Sequence, residues 1–212
     1  TFGEVLAARG IPSYTASRTG YFSTTEVVTL LNYLRVLDNP LQDIPLTGVL
    51  RSPIVGCTTE ELAELRIAYP EGMICECVRA FVEDYREHRI FEEKKKTLGE
   101  KLSRFWDTMN GLRDMAAYTP VHELILYVLK ETGYGDYARA LPGGEQRFAN
   151  LTMLVEKAMD YEKTSYRGLF NFVRYIEQLQ AYQVDYGEVN LTGAGNTAVE
   201  IMTIHKSKGL EF

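Results

Sequence analysis

A short polar segment near the end of the chain carries the residue types best suited to binding phosphate. It follows the apolar, β-branched stretch Val199 to Ile204 and contains Thr203, His205, Lys206, Lys208 and Gly209. A buried strand that runs into such a turn presents donors and positive charge at its carboxyl end, where open α/β sheets bind ligands. Backbone N–H groups around Gly209, together with the lysines, suit phosphate oxygens. We therefore interpret this segment as a phosphate-binding turn, with a solvated lysine turn as the alternative.

The other candidate chemistry is metal binding, and the spacing of the residues argues against it. Cys75 and Cys77 lie in a helical apolar stripe, and no two cysteine or histidine pairs have the spacing of a structural zinc site. Asp84 with Glu92 and Lys94 superficially resembles a nuclease set, but these residues lie in or beside predicted helices and fit a solvated charged run better. We expect no metal site in this chain.

Two catalytic motifs are missing from the 212 residues. There is no G-x-S-x-G nucleophile elbow and no G-x-x-x-x-G-K-[ST] loop to cradle a nucleotide phosphate. Taken alone, the chain should not hydrolyse ATP.

Composition is that of a folded protein with one large domain or two small ones. Lys and Arg number 23 against 29 Asp and Glu, which gives a net charge of −6, and 45% of the residues are hydrophobic. The mild acidity argues against a protein that coats nucleic acid with most of its surface, but it allows a local basic surface. Three cysteines fit a reducing cytosol, and the sequence shows neither a membrane span nor a secretory signal. Because it begins at Thr1 and stops at Phe212 within a motif-like stretch, it is expected to be a piece of something longer.

Apolar residues at three- and four-residue spacing predict a largely helical body. A capping box at Ser23 and Glu26 starts the first helix, and Asn39-Pro40 ends it. Thr119 as cap and Pro120 as first helical residue start another helix, with Gly133 as its stop. The predicted stripes are Val27, Leu30, Leu31, Leu34, Leu37; Ile74, Cys77, Val78, Phe81, Val82, Tyr85; Leu98, Leu102, Phe105, Met109, Leu112, Ala116; Val121, Leu124, Ile125, Val128; Leu151, Leu154, Val155, Ala158; and Leu169, Phe172, Val173, Ile176, Leu179.

Two short stretches at opposite ends of the chain have the composition of strands, namely residues 11–16 and 199–204. We predict that they pair, since each otherwise leaves an exposed edge. The fold class is then mainly α, with a helical bundle inserted between two short strands of an α/β domain. Boundaries fall at residues 1–22 for the N-terminal lead-in, 23–196 for the helical body and 197–212 for the return.

The final segment closely resembles motif V of the UvrD-like superfamily-one helicases, whose pattern is T-x-H-x-x-K-G-L-E-F. Every fixed position matches, from Thr203 and His205 through Lys208 and Gly209 to Leu210, Glu211 and Phe212. Residues 8–14, 20–27 and 34–40 resemble the same family's approach to its inserted accessory domain. The resemblance implies that the lead-in and the return belong to the second RecA-like motor domain and that residues 23–196 are its accessory domain.

Blocks in the middle of the chain resemble one branch of that family, the AddA-type helicase–nuclease subunits of bacterial AddAB complexes. They are residues 131–134, 140–144, 147, 149–151, 162–165 and 168–170. The resemblance implies an ATP-dependent 3′-to-5′ DNA helicase and nuclease in double-strand-break repair and recombination. It also implies ATP and Mg²⁺ in the parent enzyme, with neither expected on this chain alone, an AddB-type partner subunit, and a bacterial, cytoplasmic, nucleoid-associated location without a membrane.

The resemblance also implies roles for individual residues. Thr203 and His205 would contact the single-stranded DNA backbone, with Lys206 and Lys208 beside them, while Glu211 would contact the ATP ribose and Gly209 would shape the turn between the two sites. No catalytic residue lies in this chain, so it is expected to be inactive alone.

A second DNA contact is implied for the accessory domain, where related helicases place a G-I-G turn against duplex phosphates. The corresponding stretch runs from Ser52 to Thr58, and Gly56 matches the first glycine, whereas Thr58 replaces the second. Thr58 with Glu61 instead predicts a helix cap, whose N-terminus would still face a phosphate.

Three alternatives remain open. Four arginines interleaved with tyrosines either form a face that binds nucleic acid or a partner, or are ordinary exposed arginines beside tyrosines at the edge of the core. The chain as a whole could also be a non-catalytic docking module, or part of a UvrD-like repair helicase without a nuclease domain. The arginines and tyrosines are Arg139, Arg147, Arg167, Arg174, Tyr137, Tyr166 and Tyr175.

Overall fold

A computed structural model describes residues 5–6, 9–11, 13–15, 20–90, 93–164, 167–182 and 199–201. Within that part of the chain the fold is mainly helical, as predicted. The α-helices are α1 Thr25–Asp38, α2 Asp43–Arg51, α3 Thr59–Ala68, α4 Ile74–Arg86, α5 Glu93–Ala116, α6 Val121–Glu131, α7 Tyr134–Ala140, α8 Gly144–Glu162 and α9 Leu169–Ala181. A 3₁₀ turn, Tyr21–Ser23, precedes α1, and the strands are β1 Ser13–Thr15 and β2 Val199–Ile201.

Helix α1 lies at the centre of the helical body and packs against α2, α5, α8 and α9. Its predicted apolar stripe is buried, with Val27, Leu30 and Leu34 fully shielded from solvent. The stripes of α4, α5, α6, α8 and α9 join the same core, and only positions near their ends are half-buried. The periodicity therefore identified the buried faces correctly.

The two predicted strands pair, which confirms that expectation. β1 and β2 run parallel, with Ser13 opposite Val199 and Thr15 opposite Ile201. Both are shorter than predicted in the described residues, at three residues each. Since parallel neighbours need a crossover connection, the helical body occupies the place that a single crossover helix takes in an ordinary α/β unit.

The predicted capping box at the start of α1 is wrong. Gly20 adopts a left-handed conformation with φ 115°, which allows the 3₁₀ turn, and Ser23 Oγ donates back to the Gly20 carbonyl at 2.8 Å. Helix α1 begins at Thr25 after an N-cap, Thr24, whose side chain makes no capping bond. The Glu26 carboxylate points inward instead and is 4% exposed.

The predicted start of α6 is displaced by one residue. Pro120 is the N-cap, and the helix begins at Val121. The first amide donates to the side chain of Glu162 rather than to Thr119, because the end of α8 lies close enough to supply a carboxylate. The predicted ends hold: Asn39 is the C-cap of α1, and Gly133 follows α6 in the left-handed region with φ 65°.

Candidate functional site

In the sequence, the segment predicted to bind phosphate follows strand β2. The strand ends at Ile201, two residues before Thr203, and its parallel partner β1 fixes its direction. The motif V residues predicted to bind DNA or nucleotide lie outside the described part of the chain, so their roles stay predictions. They are Thr203, His205, Lys206, Lys208, Gly209 and Glu211.

The turn between α2 and α3 contains Gly56 and is closed by its own hydrogen bonds. Gly56 has φ 73°, a left-handed conformation that favours glycine. Its amide donates to the Ser52 carbonyl at 2.8 Å, and the Cys57 amide donates to the Leu50 carbonyl at 2.9 Å. These two amides are therefore already used within the protein.

The predicted cap at Thr58 and Glu61 is confirmed as a full capping box. The Glu61 amide donates to Thr58 Oγ1 at 3.1 Å, and the Thr58 amide donates to Glu61 Oε2 at 2.8 Å. Lys101 of α5 donates to both Glu61 oxygens, at 2.8 and 3.0 Å, and to the Gly56 carbonyl at 3.1 Å. Helix α5 thus holds the turn and the start of α3 together.

The positive N-terminal end of α3 already interacts with two carboxylates of the chain itself. Burial opposes ionisation of Glu61, but hydrogen bonds from Lys101 and the Thr58 amide outweigh it and lower its pKa. The pKa of Glu60 is also lowered, mainly by a hydrogen bond from its own amide and by one from Thr58. Both carboxylates occupy the positive end of α3, so a phosphate would have to displace or pass them. Contact between Gly56 and duplex DNA stays a prediction.

Among the candidate arginines, those with described contacts have structural roles. Arg147 pairs with Glu26 at 2.9 Å, Arg139 lies 3.4 Å from the centre of the Phe148 ring, and Arg174 reaches Glu177 at 3.7 Å. Tyr175 stacks on Tyr161 at the edge of the core, 5.1 Å between ring centres. Arg167 is exposed, Tyr137 is 44% exposed and Tyr166 lies outside the described residues. These contacts favour structural roles over a continuous basic face.

The sequence did not predict a buried polar network that joins α8 to the residues at the start of α1. Asn150, which is fully buried, donates to Glu26 Oε1 at 2.7 Å, and the Tyr21 hydroxyl donates to the Asn150 carbonyl at 2.9 Å. Arg147 completes it through Glu26 Oε2. Each of these hydrogen bonds joins residues more than 120 positions apart, so no local pattern could have revealed them. The network ties Tyr21 and the start of α1 to α8.

The described residues offer little support for other kinds of site. They hold no group of three or more histidine, cysteine, aspartate or glutamate side chains placed to bind a metal ion. No helix there has both the length and the apolar character to cross a bilayer.

Comparison with known proteins identifies the family. The UvrD-like helicase C-terminal domain family matches residues 1–212. The chain is 44% identical over 248 residues to an ATP-dependent helicase/nuclease subunit of Lachnoclostridium phytofermentans, covering all of this chain and 18% of that protein. It is 48% identical over 209 residues to the protein of the same name from Bacillus cytotoxicus, covering 99% of this chain and 16% of that protein.

A third relative, from Thermoanaerobacter pseudethanolicus, carries the same name and is 44% identical over 211 residues. The chain spans only 16–18% of the length of these relatives. The resemblance to helicase–nuclease subunits is confirmed by these matches, and the chain belongs to the UvrD-like helicase C-terminal domain family.

Proposed function

We propose that this chain is the part of an ATP-dependent DNA helicase/nuclease subunit in which a helical accessory domain is inserted into the second motor domain. The observation that carries the proposal is the parallel pairing of β1 with β2, which encloses the whole helical body between two neighbouring strands. A strand pair of this kind is the minimal piece of a motor-domain sheet. We place the domain boundaries at residues 22–23 and 196–197, and the strand pair on either side of them supports an inserted helical body.

Motif V would then start two residues beyond β2. Thr203 and His205 contact the single-stranded DNA backbone, with Lys206 and Lys208 adding positive charge, while Gly209 and Glu211 contact the nucleotide. One strand end that touches both ligands couples them, because a change in nucleotide state shifts the grip on DNA. ATP with Mg²⁺ supplies the driving reaction in the parent enzyme, and the phosphate-cradling residues come from elsewhere in that enzyme.

The accessory domain contributes a second surface near Gly56. Since the turn amides are used internally, duplex contact there would rely on exposed side chains such as Arg51 and on the close approach that Gly56 permits. Partners follow from the relatives, each of which is named as one subunit of an enzyme. We expect the parent enzyme to bind DNA and a second subunit of the AddB type. We expect it to be located in the bacterial cytoplasm.

A double substitution in the full-length protein tests the proposal. Thr203→Ala with His205→Ala should lower the rate of DNA unwinding at least tenfold by removing contacts to the strand. Thr97→Ala with His88→Ala makes the same two side-chain changes at exposed positions outside every candidate site, and this matched control should unwind normally. Unwinding at the wild-type rate by the double variant would remove the functional content of the motif V assignment.

The isolated chain offers an independent test. It should show no ATP hydrolysis and no nuclease activity, because catalysis of phosphoryl transfer needs phosphate-binding and charge-stabilising groups that its sequence lacks. Any DNA binding should weaken steeply as salt rises. ATP turnover by the pure chain, sensitive to Glu211→Ala, would contradict the assignment.

A further inference from the structure

An open groove of about 590 Å³ runs along helix α8 beside α7. The groove positions on α8 recur every three or four residues and lie on the opposite side of the helix from Asn150 and Leu154, which face the core. We call it the α8 groove. It is lined by Arg139, Glu145, Phe148, Ala149, Met153 and Glu156, among others.

The floor of the α8 groove is apolar. Phe148, Ala149 and Met153 are each half-buried, and Met159 lies further along the same helix with 47% of its surface exposed. The Arg139 guanidinium already covers one face of the Phe148 ring. A concave apolar surface with flexible methionines suits the apolar side of a helix.

The exposed charged positions that α8 contributes to the groove are acidic, while Arg139 of α7 lies over the Phe148 ring. Glu145 and Glu156 are both exposed, and three helical turns separate them, about 16 Å at 1.5 Å per residue. Asp160 extends the acidic row by one turn and pairs with Lys163 at 2.7 Å. Carboxylates beside an apolar floor attract a ligand that carries cations beside an apolar ridge.

This charge pattern favours one kind of ligand for the α8 groove over two others. A nucleic acid would bring its phosphates against Glu145 and Glu156, which is repulsive. A second copy of the chain, meeting this face across a two-fold axis, would place the same carboxylates against each other. A protein helix with basic residues flanking its apolar stripe satisfies both the floor and the acidic positions.

We propose that the α8 groove binds an amphipathic helix of a protein partner, with lysine or arginine residues three turns apart flanking its apolar ridge. The ridge lies on Phe148, Ala149 and Met153. The two cations lie against Glu145 and Glu156, which set the direction and register of the bound helix. None of the lining residues belongs to the turn at Gly56.

Two synthetic peptides of about 18 residues test the proposal with the 212-residue chain. Both carry a leucine stripe, and they differ only in two flanking residues, which are lysines in one peptide and glutamates in the other, spaced as Glu145 and Glu156 are. Fluorescence anisotropy should show the lysine peptide binding at least tenfold more tightly, with the difference shrinking as salt rises. Equal affinity for the two peptides, or no binding of either, overturns the proposal.

Variants assign the binding to the groove. Glu145→Lys with Glu156→Lys should reverse the preference between the peptides, since both positions are exposed and tolerate the change. Glu64→Lys with Glu100→Lys makes the same charge change at exposed positions on α3 and α5, away from the groove, and should leave the preference intact. An equal effect of both pairs would mean that net charge alone drives binding, which would overturn the proposal.

Two further outcomes complete the test. Met153→Asp should weaken both peptides, with circular dichroism checking that the variant stays helical. Sedimentation of the chain should show a monomer whose state does not change with the groove variants. Self-association that the Glu145→Lys and Glu156→Lys changes alter would make the groove an interface between copies and contradict a basic partner helix.

Discussion

Replacing Arg147 by alanine would remove the cation beside the buried carboxylate of Glu26. The Glu26 side chain is 5% exposed, whereas that of Arg147 is 35% exposed and lies 2.9 Å away. After the change Glu26 keeps the hydrogen bond from Asn150, and its charge stays buried without a paired cation. The packing of α1 against α8 should lose stability.

The size of the loss follows from the burial of the pair. Removing one partner of a fully buried pair costs about 3–5 kcal/mol, and exposed pairs contribute about 0.2–1 kcal/mol. Because Arg147 is partly exposed and Asn150 still donates, we expect a loss of about 2 kcal/mol in the free energy of unfolding, between these two limits. For a chain of this size that lowers Tm by about 4–8 °C.

Thermal and urea unfolding followed by circular dichroism measures the loss. The control is Arg86→Ala, which breaks an ion pair with Asp107 whose side chains are 45% and 66% exposed, together with exposed hydrogen bonds to Ser103, and it should cost at most about 1 kcal/mol. Adding Glu26→Gln to Arg147→Ala should recover part of the loss, since a neutral amide needs no cation. Equal losses for Arg147→Ala and Arg86→Ala would refute the reasoning.

Three further stability measurements probe other parts of the fold. Gly144→Ala should lower the free energy of unfolding by about 2 kcal/mol, because the new Cβ would lie 1.8 Å from the Arg139 carbonyl oxygen. Gly111→Ala, which has open space around it in α5, should raise the free energy of unfolding by about 0.5–1 kcal/mol. A loss of stability in both variants or in neither would contradict the packing. Tyr33→Phe should be neutral or stabilising, because its buried hydroxyl has no hydrogen-bond partner among the described residues, and a large loss would reveal a missed partner. The pKa of Glu61 is lower in the folded chain than its unfolded value of about 4.3, so the ionised carboxylate stabilises the fold above that value. This stability is lost as the pH falls through the folded pKa. Urea midpoints at neutral and acidic pH should therefore differ less for Glu61→Gln than for the wild type.

The elements that could be predicted are those with local causes. Apolar spacing identified the buried face of α1, and the Thr58 and Glu61 pair marked the start of α3. Asn39 before a proline marked the end of α1. In each case the residues that determine the structure are neighbours along the chain, so a short window contains the physical cause.

The elements that escaped prediction have either misleading local residues or distant causes. Helix α2 was missed because Pro45 and Gly48 usually interrupt helices; here the proline lies in the first turn, where its missing amide costs little, and the glycine admits the Asn32 side chain of α1. The inward turn of Glu26 depends on Arg147, far along the chain. For the motif V residues, physical chemistry alone indicated phosphate binding, and the family resemblance was needed to separate a DNA contact from a nucleotide contact.

The central claim is that one strand end serves both DNA and nucleotide. Steady-state ATPase assays of the full-length protein, varied in ATP and in single-stranded DNA, test it most directly. Glu211→Ala should raise the KM for ATP at least tenfold and leave the DNA concentration for half-maximal stimulation unchanged. Thr203→Ala with His205→Ala should do the reverse. If both variants shift the same parameter, or neither shifts any, the division of this segment between DNA and nucleotide is contradicted.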